Sequence, residues 1–217
     1  MNIVNISDEY LLADYFLSNL RDSNRQKDRL HFRANVKSLS QILTWEFSKS
    51  LEYNKEFINT PFSGYGRMVP ASDIILVSIV RAGIPIQIVV SSMIPCEKIV
   101  LCTCEKDARG IRSAAISDEL NFHNKVLAVT ESLMTSASSI LCCLKEVLKR
   151  SHPSFIAILN LISTPLAIDN IKKFEKETGI SINLYTCAID NFTSGIRGTV
   201  PGLGDVGDLL YGIKSNV

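Results

Sequence analysis

Three short segments carry residue types and spacings suited to an anionic or flat polar ligand. Arg81-Ala82-Gly83 follows an apolar run and sets a guanidinium beside a small, backbone-exposing glycine. The arginine fork matches the oxygens of a pyrophosphate. A surface arginine in a helix-start turn accounts for the same tripeptide about equally well. Thr130-Glu131-Ser132-Leu133-Met134-Thr135-Ser136-Ala137-Ser138 joins an apolar run to an apolar-periodic one. Small hydroxylic residues at such a junction leave backbone N–H groups at the positive end of a helix, where a phosphate fits. On physical grounds alone, an ordinary helix cap by Thr135, Ser136 or Ser138 is the stronger reading. The third segment, Pro201 to Gly212, contains Gly202, Gly204, Gly207 and Gly212. Such density permits φ above zero at several points and brings backbone donors and acceptors close to a flat ligand. A flexible tail is the alternative, but Val200, Leu203, Val206, Leu209, Leu210 and Tyr211 interleave with the glycines and favour a packed loop.

The elements that position these segments follow from periodicity. Continuous apolar runs of strand length occur at Ile74 to Val80, Ile99 to Cys104, Val126 to Val129, Phe155 to Ile162 and Ile182 to Ile189. Runs without alternation are the mark of strands buried on both faces of a parallel sheet. Helical segments at Ile84 to Ile94, Ser136 to Lys149 and Pro165 to Lys176 lie between most of them. This alternation predicts an α/β fold with a mostly parallel, doubly wound sheet and flanking helices. Val36, Leu39, Ile42, Leu43, Phe47 and Leu51 recur at helical spacing, so residues 35 to 52 form an N-terminal covering helix. The polar stretch from Lys106 to Asn124, with Asp107, Arg109, Gly110, Arg112, Ser113 and Asp118, has no helical period and reads as a long functional connection. Open parallel sheets bind ligands at the carboxyl ends of their strands, which is where all three segments fall.

Bulk properties narrow the functional classes. A chain of 217 residues with 46% hydrophobic and 21% charged residues is expected to form one domain, residues 1–217, with a single core. The net charge of +1 provides no global field for nucleic acid or an anionic membrane, so neither is expected as a partner. The densest basic cluster, Arg21, Arg25, Lys27, Arg29 and Arg33, is interrupted by Asp22 and Asp28 and reads as a solvated helix or loop face. No apolar stretch reaches the roughly 18 residues of a membrane span, and the N-terminus lacks the pattern of a signal peptide, so a cytoplasmic location is expected. Cys96, Cys102, Cys104, Cys142, Cys143 and Cys187 lie mostly in apolar runs, as reduced structural thiols do. Neither Cys102-Thr103-Cys104 nor Cys142-Cys143 has zinc-ligand spacing, and His31, His123 and His152 have no motif around them. No protein ligand to a metal is expected.

Ala188-Ile189-Asp190 followed by Val200-Pro201-Gly202-Leu203-Gly204-Asp205-Val206-Gly207-Asp208 and Tyr211-Gly212 closely resembles the uracil-binding C-terminus of the uracil phosphoribosyltransferase family. The resemblance extends to Leu20-Arg21-Asp22, Phe32-Arg33, Thr60-Pro61, Arg81-Ala82-Gly83 and, in frame, to Thr130 through Ser138, so it covers essentially the whole chain. It implies a type I phosphoribosyltransferase fold and transfer of the ribosyl phosphate of phosphoribosyl pyrophosphate to uracil, giving uridine monophosphate and pyrophosphate. It further implies Mg2+ carried on the donor and a homodimer or homotetramer. Carried over by position, Thr199, Gly204 and Val206 read the uracil edge and Asp205 contacts it through water. A rigid backbone template of this kind rejects cytosine by leaving polar groups unpaired. Arg81, Ala82 and Gly83 face the pyrophosphate, and Lys106 stands where the family has an arginine that also meets it.

The donor loop departs from the family pattern. The family typically reads Asp-Pro-Met-Leu-Ala-Thr-Gly-Gly-Ser where this chain has Thr130 through Ser138. Thr135 and Ser138 keep hydroxyls for the phosphate. Thr130 replaces the aspartate that holds the ribose hydroxyls, with Glu131 next to it, and Ser136 and Ala137 replace the two glycines. Arg81, Glu131 and Asp205 are the candidate catalytic residues. Successive strand side chains face opposite ways, which separates Glu131 from the position the aspartate held. Any φ above zero at Ser136 or Ala137 is costly. Gly198 stands where a tyrosine usually precedes the uracil loop, and the connection after Lys106 is shorter than in many relatives. Loss of the ribose carboxylate costs roughly a few kcal/mol of transition-state stabilisation, or about a hundredfold in rate. Two expectations result: a slowed pyrimidine-salvage enzyme, or a non-catalytic uracil- or nucleotide-binding relative that has lost its donor site.

Overall fold

The computed structural model describes residues 1–106, 112–117, 121–192 and 199–213. In chain order the elements are β1 (Asn2–Asn5), α1 (Ile6–Glu9), α2 (Leu11–Arg21), a 3-10 turn at Arg25–Lys27, α3 (Arg29–Ser48), β2 (Tyr53–Asn59), β3 (Gly64–Pro70) and β4 (Ile74–Ile79). There follow α4 (Ile84–Met93), β5 (Lys98–Lys106), β6 (Arg112–Ile116), β7 (Val126–Thr130), β8 (Leu133–Met134) and α5 (Ser138–Leu148). The chain continues through β9 (Phe155–Ser163), α6 (Pro165–Thr178), β10 (Ile182–Ile189), β11 (Asn191–Phe192), β12 (Thr199–Val200) and α7 (Val206–Tyr211).

All five apolar runs become strands of one eight-stranded sheet, in the order β1-β10-β9-β7-β4-β5-β6, with β8 added alongside β9. Every neighbouring pair is parallel except β5 and β6. β4 and β7 are buried at every residue, which is why their sequences are apolar without alternation. One face of the sheet packs on α2, α3, α4 and α7 through Leu17, Val36, Leu43, Ile86, Val90 and Leu210. The other packs on α5 and α6 through Ile140, Leu144, Ile168 and Ile171.

Several features differ from the sequence expectation. The covering helix begins earlier, at Arg29, because Asp28 caps it by accepting from the backbone N–H of His31 at 3.0 Å. The connection after β5 is not wholly irregular: Arg112–Ile116 returns antiparallel to β5, while Asp107, Arg109, Gly110 and Asp118 lie outside the described residues. A hairpin, β2 and β3, stands where no strand was expected, with most of its residues exposed. Finally, the C-terminal segment read as a packed loop contains a short helix, α7, capped by Asp205.

Candidate active site

β4 and β7 are neighbours, so the segments that leave their carboxyl ends emerge side by side. The hydroxyl of Thr130, the last residue of β7, donates to the Gly83 carbonyl at 3.1 Å, and Ser132 Oγ donates to the Ala82 carbonyl. A Cβ on Gly83 would stand 2.2 Å from the Thr130 carbonyl oxygen and 2.8 Å from that of Ile79. Glycine is therefore required here by the crowding of two backbones. Thr130 is fully buried, and its hydroxyl is already engaged, so it ties the two loops together and presents no surface to a ligand.

The C-terminal segment closes over these loops from the opposite side. Its anchor is Asp190, whose carboxylate is 3% exposed and accepts two bonds from Arg21, at 2.7 and 2.8 Å. The same carboxylate accepts from the Gly202 backbone N–H at 2.8 Å and from Thr199 Oγ1 at 3.4 Å. Arg21 also donates to the Gly202 carbonyl at 3.1 Å. Gly202 has φ of 67°, and a Cβ there would lie 2.1 Å from the Thr199 carbonyl oxygen, so the turn admits glycine alone. Gln26 donates to the Leu203 carbonyl at 3.0 Å, and Arg33 donates twice to the Leu210 carbonyl. The basic cluster is thus only partly a solvated face. Arg25, Lys27 and Arg29 are exposed, whereas Arg21 and Arg33 reach across to hold the C-terminal segment.

Arg81 completes the closure. Its guanidinium donates to Asp208 Oδ1 at 2.9 Å and lies over the Tyr211 ring, 5.8 Å from the centroid. Asp205 accepts from the Asp208 backbone N–H at 3.0 Å as the cap of α7. Between the loops lies a cavity of about 200 Å³ lined by Ala82, Glu131, Leu133, Gly204, Asp205, Val206 and Gly207. That is below the roughly 300–1,000 Å³ of sites for drug-sized ligands and suits a small ring. Ala82, Glu131, Gly204, Asp205 and Val206, all expected at the site, meet here. Thr199 is not part of this lining; it is buried beneath the segment, on Asp190.

β7 ends at Thr130, so Glu131 is already outside the strand and lies on the cavity wall. Burial pushes its pKa up to about 8, against the lowering effects of the Arg112 charge and a hydrogen bond with Ser139. Both acidic residues on that wall have partners of their own: Asp205 caps α7, and Glu131 is hydrogen-bonded with Ser139.

The rest of the donor segment leads into α5. Ala137 has φ of 56° and ψ of 15°, the left-handed conformation, and none of the neighbouring hydroxyls caps the helix. The loop therefore keeps a turn that glycine adopts more easily, at a cost of roughly 1–2 kcal/mol. Thr164 donates to the Thr135 carbonyl at 2.6 Å and Asn170 to the Ser136 carbonyl at 3.1 Å, fixing the loop from α6. Ser136 and Ser138 line a second cavity, of about 650 Å³, with Arg112, Leu141, Cys142, Lys145 and Asn170. Lys106 ends β5, and its side chain lies outside the described residues, as does Gly198. Among the described residues no cluster of His, Cys, Asp or Glu is arranged to hold a metal ion. No helix among them is long and apolar enough to cross a membrane.

The sequence model of the family described as uracil phosphoribosyltransferase matches residues 8–213. The chain belongs to the uracil phosphoribosyltransferase family. A protein of Porphyromonas gingivalis (strain ATCC 33277) named uracil phosphoribosyltransferase is 27% identical over 227 residues, covering 99% of this chain and 100% of that one. A Legionella pneumophila protein (strain Philadelphia 1) of the same name is 27% identical over 193 residues, 88% of each chain. One from Methanothermobacter thermautotrophicus is 25% identical, covering 87% of each. Among solved structures, that of the AQ2163 protein from Aquifex aeolicus superposes with a TM-score of 0.81 at 20% identity, over 97% of this chain and 98% of that one, which establishes the shared fold.

Arg21 and Asp190 stood inside the quoted family motifs, but their pairing lay beyond sequence reasoning. Arg112, in the second cavity, was noted only as part of a polar stretch, and Lys145 only as part of a helix.

Proposed function

We propose that this member of the family is a slowed uracil phosphoribosyltransferase. The observation that carries the reading is the small cavity walled on one side by Gly204 through Gly207 and on the other by Ala82 and Glu131. Uracil occupies the glycine-rich side, reading backbone groups of Gly204 and Val206, with Asp205 contacting it through water and Thr199 supporting the template from below. Phosphoribosyl pyrophosphate spans the donor side. Its ribose hydroxyls meet Glu131, its pyrophosphate meets Arg81, the Ala82-Gly83 backbone and Lys106, and its 5′-phosphate meets Thr135 through Ser138. Thr130 acts by fixing Gly83. In the transfer, a bond forms between N1 of uracil and C1′ of the ribose as the C1′–oxygen bond to pyrophosphate breaks, and the N1 proton passes to water. Arg81 exchanges Asp208 for the departing pyrophosphate. Mg2+ on the donor neutralises pyrophosphate charge; one wall carboxylate, Glu131, fits an ion held chiefly by the donor's own oxygens and water. Six free thiols suit a reducing, cytoplasmic compartment. The exposed Phe57, Phe62 and Tyr65 of the hairpin suit burial in a homodimer or homotetramer.

Protein incubated with uracil, phosphoribosyl pyrophosphate and Mg2+ yields uridine monophosphate above a heat-killed control; no product at high protein concentration refutes the reading. The burial of Thr130 and the strained Ala137 favour a second reading, a uracil- or nucleotide-binding protein without a donor site. Calorimetry separates the two: uracil binding with no donor binding selects the second.

A further inference from the structure

The second cavity adjoins the donor loop, yet most of its wall comes from elsewhere in the chain. β6 contributes Arg112, α5 contributes Leu141, Cys142 and Lys145, and α6 contributes Asn170. Among the described residues its lining holds two cations, two hydroxyls and an amide, with no carboxylate. Arg112 and Lys145 line the same cavity as Cys142, and both charges pull the Cys142 thiol pKa down against burial and the neighbouring Cys104. Glu146, which pushes it up, is paired with Lys149 at 2.9 Å and Arg150 at 3.7 Å. Glu131 is near enough to Arg112 for that charge to pull its pKa down, although burial outweighs this and pushes it up to about 8. The Asn170 amide binds the Ser136 carbonyl, which engages an acceptor that would otherwise repel an anion.

We propose that Arg112 and Lys145 form a side-chain clamp for the terminal phosphate monoester of the donor, and of the nucleotide product, in this cavity. The proposal rests on the reading of the chain as a phosphoribosyltransferase. A phosphate monoester carries close to two negative charges, which two cations match, and the guanidinium fork takes two of its oxygens at once. The clamp supplies by charge what Ser136 and Ala137 give up in close backbone approach.

The test is calorimetric titration of inorganic phosphate and of ribose 5-phosphate into the full chain and into R112Q, K145Q, R112K and K149Q. Each of R112Q and K145Q weakens both ligands about tenfold or more, R112K recovers only the part owed to charge and not to the fork, and K149Q, outside the cavity, matches the parent. Uracil affinity and the melting temperature stay at parental values in all four. Parental phosphate affinity in both R112Q and K145Q overturns the clamp, even where uridine monophosphate is formed. Phosphate binding that depends on both cations upholds it, even where no transfer to uracil is found. If R112Q does not fold, K145Q decides the matter alone: parental phosphate affinity in it overturns the clamp, and a loss of about tenfold or more upholds it.

Discussion

Replacing Asp190 with alanine tests the central claim that one buried carboxylate organises the C-terminal segment. The side chain is 3% exposed and accepts from Arg21 twice, from Gly202 N–H and from Thr199. Without it, Arg21 keeps the Gly202 carbonyl at 3.1 Å and some water, being 19% exposed. Thr199 can turn its hydroxyl, but the Gly202 N–H is stranded. An orphaned buried amide costs roughly 1–3 kcal/mol, and breaking a buried ion pair by removing one partner costs about 3–5 kcal/mol in all. At about 4 kcal/mol, a chain of this size loses roughly 8–16 °C in melting temperature. Because Gly202 leads directly into Gly204, uracil affinity falls at least tenfold, while D190N, which keeps one acceptor oxygen, loses about half as much stability. Thermal unfolding and calorimetry measure both quantities. An alanine variant melting within about 2 °C of the parent, with unchanged uracil binding, would refute the assignment of Asp190 as the anchor.

Gly202→Ala pushes a methyl to within 2.1 Å of the Thr199 carbonyl in a left-handed turn, so urea denaturation should show a loss of more than about 2 kcal/mol. Glu131 has its pKa raised from 4.5 to about 8, so the folded chain retains a proton that the unfolded chain has released between those values. Its contribution to stability is full below pH 4.5 and is lost as pH rises through about 8; melting curves of Glu131→Gln should match the parent near pH 4 and exceed it near pH 8.5. Thr130→Asp, which restores the family's residue, sets a carboxylate against the Gly83 carbonyl at a fully buried position. Melting temperature and uridine monophosphate formation should both fall, and a gain in rate would show that the loop opens to admit it.

The sheet was legible because strands buried on both faces must be apolar throughout. β4, β5, β7, β9 and β10 and the helices α4, α5 and α6 fall within about two residues of their expected limits. β1 was not legible, since four residues with asparagine at both ends make no pattern. The hairpin was missed for the opposite reason: exposed on both faces, it has no buried side to impose alternation. Its signal was the short connection containing Pro61 between two segments of similar length. The Arg21–Asp190 pair joins residues 169 apart, and a charge in sequence does not name its partner. Asp205 and Asp208 sit three apart before an apolar stretch, a capping pattern that Gly207 obscured.

The altered donor loop is better understood as an exchange of tasks than as decay. The family pattern places the acid on the last strand residue, where here a threonine hydroxyl joins β7 to the Gly83 turn. The acid stands one residue later, at Glu131, beyond the end of β7, so strict strand alternation does not apply to it. Glu131 reaches the cavity wall at the cost of desolvation, which is why its pKa rises. Ala137 adopts a left-handed turn that glycine takes more readily, so this sequence holds a strained conformation where the family pattern has glycine. The altered loop is tied by hydrogen bonds to its surroundings: Thr130 holds the Gly83 turn, and Thr164 and Asn170 hold the loop at Thr135 and Ser136.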